Sequence, residues 1–118
     1  MCGIGGVVDF NRGVAEATLQ AMTAALGRRG PDAHGTLIDG PCGLAHTRLS
    51  IIDVAGSPQP MVAPEHGLSL TYNGEIYNYQ ALRQELEAGG ERFRTNGDTE
   101  VLLRWLSRSW TDALPKFD

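Results

Sequence analysis

Three glycines interrupt the first strand-like run of this chain, Gly3-Ile4-Gly5-Gly6-Val7-Val8. A glycine in a strand has no side chain to pack and costs backbone entropy on ordering, so such a run marks close approach by another backbone or a ligand. The strand is expected from Ile4 to Phe10, with Val7, Val8 and Phe10 as its apolar residues. Cys2 stands directly before it. If Met1 is removed, which a small second residue permits, Cys2 carries a thiol and a free α-amine on one carbon, a nucleophile and its base in one residue. The two groups ordinarily titrate within about one unit of each other, so near neutral pH the amine takes the thiol proton and leaves the attacking thiolate. A cysteine near an N-terminus is more commonly a small hydrophobe of a first strand. The catalytic reading therefore depends on whether distant residues supply an oxyanion hole and a substrate clamp.

Length limits the chain to one domain with a small core, since it has 118 residues. A net charge of −4, with Arg28-Arg29 as the only adjacent basic pair, argues against nucleic acid or an acidic membrane surface as partner. No apolar run has the length of a membrane span, and the first residues lack a basic segment and a cleavable apolar one, so the chain reads as cytoplasmic. Cys2 and Cys42 do not make a disulfide scaffold. His34, Cys42, His46 and His66 lack the paired spacing of a structural metal site, and no metal is expected.

Asn11-Arg12-Gly13 predicts a turn, and Val14 to Gly27 a helix whose buried stripe is Ala15, Leu19, Met22 and Leu26, joined by Ala25. Gly27 is its stop, and Arg28-Arg29-Gly30-Pro31-Asp32 is a loop. Thr36 to Ile38 and Gly43 to Ile52 then read as strands around Asp39-Gly40-Pro41. The second carries Leu44, His46, Arg48 and Ser50 on one face, and Ala45, Thr47, Leu49 and Ile51 on the other. Arg48 is suited to grip a carboxylate with two parallel hydrogen bonds, although a strand arginine is more often an exposed ion pair. His46 is expected to pack or hydrogen-bond. Ala55 to Pro64, with Pro58, Pro60 and Pro64, reads as an irregular loop.

Leu68 to Tyr72 reads as a strand that runs into Asn73-Gly74-Glu75. An Asn-Gly pair after alternating residues is the strongest short hairpin signal, through a type I′ turn. It is also a potential oxyanion hole, with the Asn73 carboxamide and the Gly74 backbone N–H aimed at one oxygen. Asn78 fits the N-cap of a helix over Tyr79 to Ala88, with Leu82 and Leu86 inward and Gly89-Gly90 as stop. Phe93 is expected in a short strand. Asp98 is expected to cap a helix whose stripe is Val101, Leu102, Trp105 and Leu106, with a carboxylate partly free to meet an ammonium. Ala113 to Asp118 reads as the opening of another element.

Five segments together, Met1-Cys2-Gly3-Ile4, Arg29-Gly30-Pro31-Asp32, Ala45 through Asp53, Asn73 through Tyr79 and Gly97 through Val101, closely resemble class II glutamine amidotransferase domains. The nearest branch is that of the glutamine-hydrolysing asparagine synthetases. Arg28 is a mild departure, since histidine is common there. The resemblance implies an α+β N-terminal-nucleophile hydrolase fold, a four-layer αββα sandwich of which residues 1–118 are expected to form only the N-terminal part. It implies Cys2 as nucleophile, Asn73 and Gly74 as oxyanion hole, Arg48 on the α-carboxylate of glutamine, and Glu75 and Asp98 on its α-ammonium. This displaces the hairpin reading of Asn73-Gly74. No cofactor is implied for the glutaminase itself; ATP and Mg2+ belong to a synthetase domain that receives the ammonia, with aspartate the default acceptor. A homodimer is compatible with the resemblance. The alternative is a non-catalytic glutamine-binding or assembly module with Met1 retained.

Overall fold

The glycine run forms a strand, and what comes close to it is a helix. The computed structural model describes residues 1–49 and 57–118; the expected strand residues 50–52 and the start of the expected loop lie outside them. Strand β1 (Gly3–Val8) and strand β2 (Ala33–Asp39) both pair antiparallel with strand β3 (Cys42–Arg48), in the order β1-β3-β2. Helix α1 (Glu16–Leu26) lies across one face. A Cβ on Gly3 would sit 2.7 Å from the Thr47 hydroxyl and 3.0 Å from Leu26 Cβ, and one on Gly43 would sit 2.7 Å from Val14. Thr47 Oγ1 donates to the Leu26 carbonyl at 3.2 Å, which satisfies an acceptor at the helix end.

Strand β1 stops two residues short of the expected Phe10. Asp9 Oδ1 accepts from the N–H groups of Asn11 and Arg12, both at 2.9 Å, and this local turn competes with the ladder and leaves Phe10 exposed. Of the expected stripe on α1 only Leu19 is buried. Ile4 and Val8, opposite His46 and Cys42 on the sheet face away from α1, are exposed.

The second half begins with β4 (Met61–Ala63) and β5 (Leu68–Leu70), an antiparallel pair joined by a 3₁₀ turn at Pro64–His66. Met61–Ala63 corrects the irregular loop expected through Pro64. Prolines flank this short strand without entering it, so no ladder donor is lost. Strand β5 ends at Leu70, before the expected Tyr72. Helix α2 (Tyr79–Ala88) has the expected bounds, and α3 (Asp98–Ser109) leads into a 3₁₀ segment, Trp110–Lys116. Asn78 occupies the N-cap position but makes no capping bond. Its amide instead donates to the Lys116 carbonyl at 2.7 Å and accepts from the Asp118 N–H at 3.2 Å. Phe93 is in no strand; it packs against the core with the Arg83 guanidinium 4.3 Å over its ring.

Helix α3 organises this half. Val101, Leu102 and Trp105 join Ile76, Leu82, Leu86 and Ala113 in one buried cluster, while Leu103 packs with Met61 and Ala63. The described residues thus make a mixed α+β fold, and none of its helices is long and apolar enough to cross a membrane.

Candidate active site

All six residues singled out from the sequence line one cavity of about 900 Å³. The first sheet contributes Cys2, just before β1, and Arg48, the last residue of β3; the second half contributes Asn73, Gly74, Glu75 and Asp98. Cys2 is half-buried and unpaired, with Sγ 3.9 Å from the Leu49 carbonyl. Its own carbonyl accepts from Arg29 Nε at 3.4 Å.

The Arg29-Gly30-Pro31-Asp32 loop braces the end of β3. The Asp32 N–H donates to the Arg48 carbonyl at 2.9 Å, and a Cβ on Gly30 would run into the backbone of Thr47 and Arg48. Glycine is required there for close approach. The Arg48 side chain, which makes further polar contacts, reaches the Ser57 carbonyl at 3.5 Å.

Asn73-Gly74 makes no hairpin. No strand follows it, and the left-handed glycines among the described residues are Gly13, Gly40, Gly67 and Gly90, whereas a type I′ turn needs positive φ at both central residues. Glycine at 74 makes room for Tyr72: a Cβ there would lie 2.5 Å from the Tyr72 hydroxyl oxygen and 2.7 Å from ring carbon Cζ. The Tyr72 N–H donates to Gln59 Oε1 at 2.6 Å. Burial, followed by the charges of Asp98 and Glu75, pushes the Tyr72 phenol up to about 12.

Asp98 also departs from expectation. Gly97 takes the N-cap position of α3, no side-chain capping bond forms, and Asp98 Oδ2 accepts instead from the Ile76 N–H at 3.0 Å. A cap has become a tie between α3 and the Asn73–Ile76 segment. The turn before Asp98 is fixed by Glu100, which accepts from the Arg94 N–H (3.0 Å), the Thr95 N–H (2.7 Å) and the Thr95 hydroxyl (2.8 Å). Burial opposes ionisation of Glu100, but Thr95, the Arg94 N–H and Arg104 outweigh it and hold its carboxyl below the usual range.

His46 is buried, with Nδ1 3.0 Å from Thr71 Oγ1 and Nε2 lacking a hydrogen-bond partner among the described residues. Burial, then the Arg48 charge, pushes its pKa below histidine's ordinary value, so it is neutral at pH 7. Sequence reasoning had not assigned Gln59, Tyr72 or Asn96 to the cavity they line. Tyr72 and Asn96 each lie beside a recognised motif and Gln59 in the expected proline loop, and only the packing of distant segments shows that they share one space.

The cavity therefore combines a thiol, an amide-plus-backbone donor pair, one guanidinium and two carboxylates. The family model described as a glutamine amidotransferase domain matches residues 1–118. The chain belongs to that family. A glutamine-hydrolysing asparagine synthetase (number 3) of Bacillus subtilis is 42% identical to this amidotransferase domain over 107 residues, covering 87% of the chain and 17% of the relative. Asparagine synthetase B of Escherichia coli is 41% identical over 107 residues, covering 87% and 19%. The Asparagus officinalis synthetase is 35% identical over 121 residues, covering 100% and 20%. The amidotransferase chain thus spans less than a quarter of the length of these relatives.

Proposed function

We propose that this domain hydrolyses the side-chain amide of glutamine through a γ-glutamyl thioester on Cys2 and supplies the ammonia to an ATP-dependent synthetase domain. The convergence of Cys2, Arg48, Asn73, Gly74, Glu75 and Asp98 on one cavity carries the proposal. Glutamine offers one carboxylate, one ammonium and one neutral amide, and the site holds a partner for each. Arg48 takes the α-carboxylate, and Glu75 and Asp98 take the α-ammonium. Arg48 and Asp98 are half-buried and Glu75 is exposed, and a site with partners for both charged groups discriminates against amides that lack either charge.

The Cys2 thiolate attacks the amide carbonyl carbon, and the oxygen charge develops against the Asn73 carboxamide and the Gly74 N–H. As the tetrahedral adduct collapses, the Cys2 α-ammonium protonates the amide nitrogen, the C–N bond breaks and neutral ammonia departs. Water then cleaves the thioester, giving glutamate and restoring the thiol. The relatives are named asparagine synthetases, and aspartate is the default acceptor in this proposal. ATP and Mg2+ serve that acceptor reaction, and no residue of this chain is assigned to them. The exposed Ile4 and Val8 on the sheet face away from α1 support the four-layer arrangement, in which a second sheet covers that face.

Asn73→Ala is expected to lower glutamine turnover roughly 100- to 1000-fold while glutamine binding persists, the usual result of losing one oxyanion donor. An unchanged turnover number removes Asn73 from the mechanism. A second reading rests on Met1, which itself lines the cavity. If it is retained the amine is blocked and the site binds without reacting, an outcome that an intact-mass measurement identifies.

A further inference from the structure

Tyr72 has a role at this site that the Asn-Gly motif alone does not disclose. Its hydroxyl oxygen would lie 2.5 Å from a Cβ on Gly74, and Tyr72, Glu75 and Asp98 all line the same cavity. The backbone of Tyr72 is held by Gln59 Oε1, and the charges of Asp98 and Glu75 both act on its phenol. Among the described residues no hydrogen bond of this hydroxyl is found, and it shares the cavity with both carboxylates and with Gly74. An α-ammonium carries three N–H donors, and two carboxylates meeting it from different segments leave a third to be satisfied.

We propose that Tyr72 is a specificity-determining residue: its hydroxyl oxygen accepts the third N–H of the substrate α-ammonium and turns its own proton toward Glu75 or Asp98. This inference rests on the assignment of glutamine to the cavity. A phenol that stays protonated through the physiological range can play both parts at once, as acceptor from the cation and donor to an anion. Its ring, packed over Gly74, fixes the hydroxyl on the oxyanion side of the ammonium. Tyr72 takes no part in bond making.

The test is calorimetric binding of L-glutamine and of its des-amino analogue, glutaramate, to the full chain and to Tyr72→Phe, which keeps the ring and removes only the hydroxyl, both carrying Cys2→Ala so that bound glutamine is not turned over. The hydroxyl is expected to contribute tenfold or more to glutamine affinity, roughly the scale of one hydrogen bond to a charged group. Glutaramate should bind the two proteins equally. Equal glutamine affinity in Tyr72→Phe overturns the proposal, as does a parallel loss for both ligands. A Tyr72→Phe chain that no longer melts cooperatively assigns the hydroxyl to the fold and also overturns it. If the chain that keeps Tyr72 binds no glutamine, the parent reading of the cavity fails, a result distinct from all of these.

Discussion

The two halves that meet at the cavity are held together by different means. Among the described residues, the half bearing Cys2 and Arg48 buries only Leu19 and Ala45 of its hydrophobic residues, whereas the half bearing Asn73 to Glu75 and Asp98 buries ten. The first half depends on backbone proximity, with Gly3 and Gly43 under α1 and Gly30 against the end of β3. The second has two apolar clusters that adjoin at Leu70 and a buried charge cluster, in which Glu100 orders the turn before α3 and Arg104 bridges Glu100 and Glu65. The difference teaches that one site can draw its rigidity from two sources. The side bearing Asn73 to Glu75 and Asp98 rests on packing, and the side bearing Cys2 and Arg48 on the absence of side chains.

The largest effect separating the halves is expected at Glu100. Glu100→Ala removes the acceptor of the Arg94 and Thr95 N–H groups and of the Thr95 hydroxyl, and one of the carboxylates on Arg104, which keeps Glu65; hydrogen bonds to a charged group are worth about 1.5–3 kcal/mol each. Typical domains have only about 5–15 kcal/mol in total. Urea unfolding should show the loss; a change below about 1 kcal/mol contradicts the packed-half account.

Next in size is Gly30→Ala, whose new methyl meets backbone that cannot rotate away. Overpacking of this kind costs about 1–3 kcal/mol. Because Gly30 touches the Thr47–Arg48 backbone, glutamine affinity should fall even at temperatures where the variant is fully folded. Normal affinity in the folded variant breaks the link between the glycine contact and Arg48.

The smallest effect is on pH dependence, and it separates the halves by window. His46, in the first half, has its folded pKa pushed below the ordinary value of about 6.5. It therefore contributes stability that is present above about pH 6.5 and is lost as pH falls toward the folded value. Glu100, in the second half, also has a lowered pKa. Its contribution is present above the ordinary glutamate value of about 4.3 and is lost below it. Melting temperatures should fall in two stages on acidification, and His46→Gln should remove only the upper one. An upper stage that survives this substitution belongs to another group.

Much of this was readable from local signals. The bounds of α2 follow from Asn78, Leu82, Leu86 and Gly89, because a periodic stripe between a cap residue and glycines is a strong local code. The six residues that line the cavity were singled out through five motifs that appear together. What escaped depended on distant partners. Asn73-Gly74 has the local chemistry of a hairpin, yet no strand follows and Tyr72 fills the space above the glycine. Asp98 has the chemistry of a cap, but the N–H that it binds belongs to Ile76, 22 residues away. Phe93 has strand propensity, and the Arg83 side chain and the helical core hold it outside any sheet. In each case a tertiary contact won over a local preference of about 1 kcal/mol or less.

The central claim is that Cys2, freed of Met1, is the nucleophile of the cavity. Intact-mass analysis of the purified chain, before and after rapid acid quenching with glutamine, tests it most directly. The account predicts a chain lacking Met1 that gains one γ-glutamyl group, with no gain in Cys2→Ala. A chain that keeps Met1, or one that loses it and gains neither an adduct nor glutaminase activity, contradicts the account.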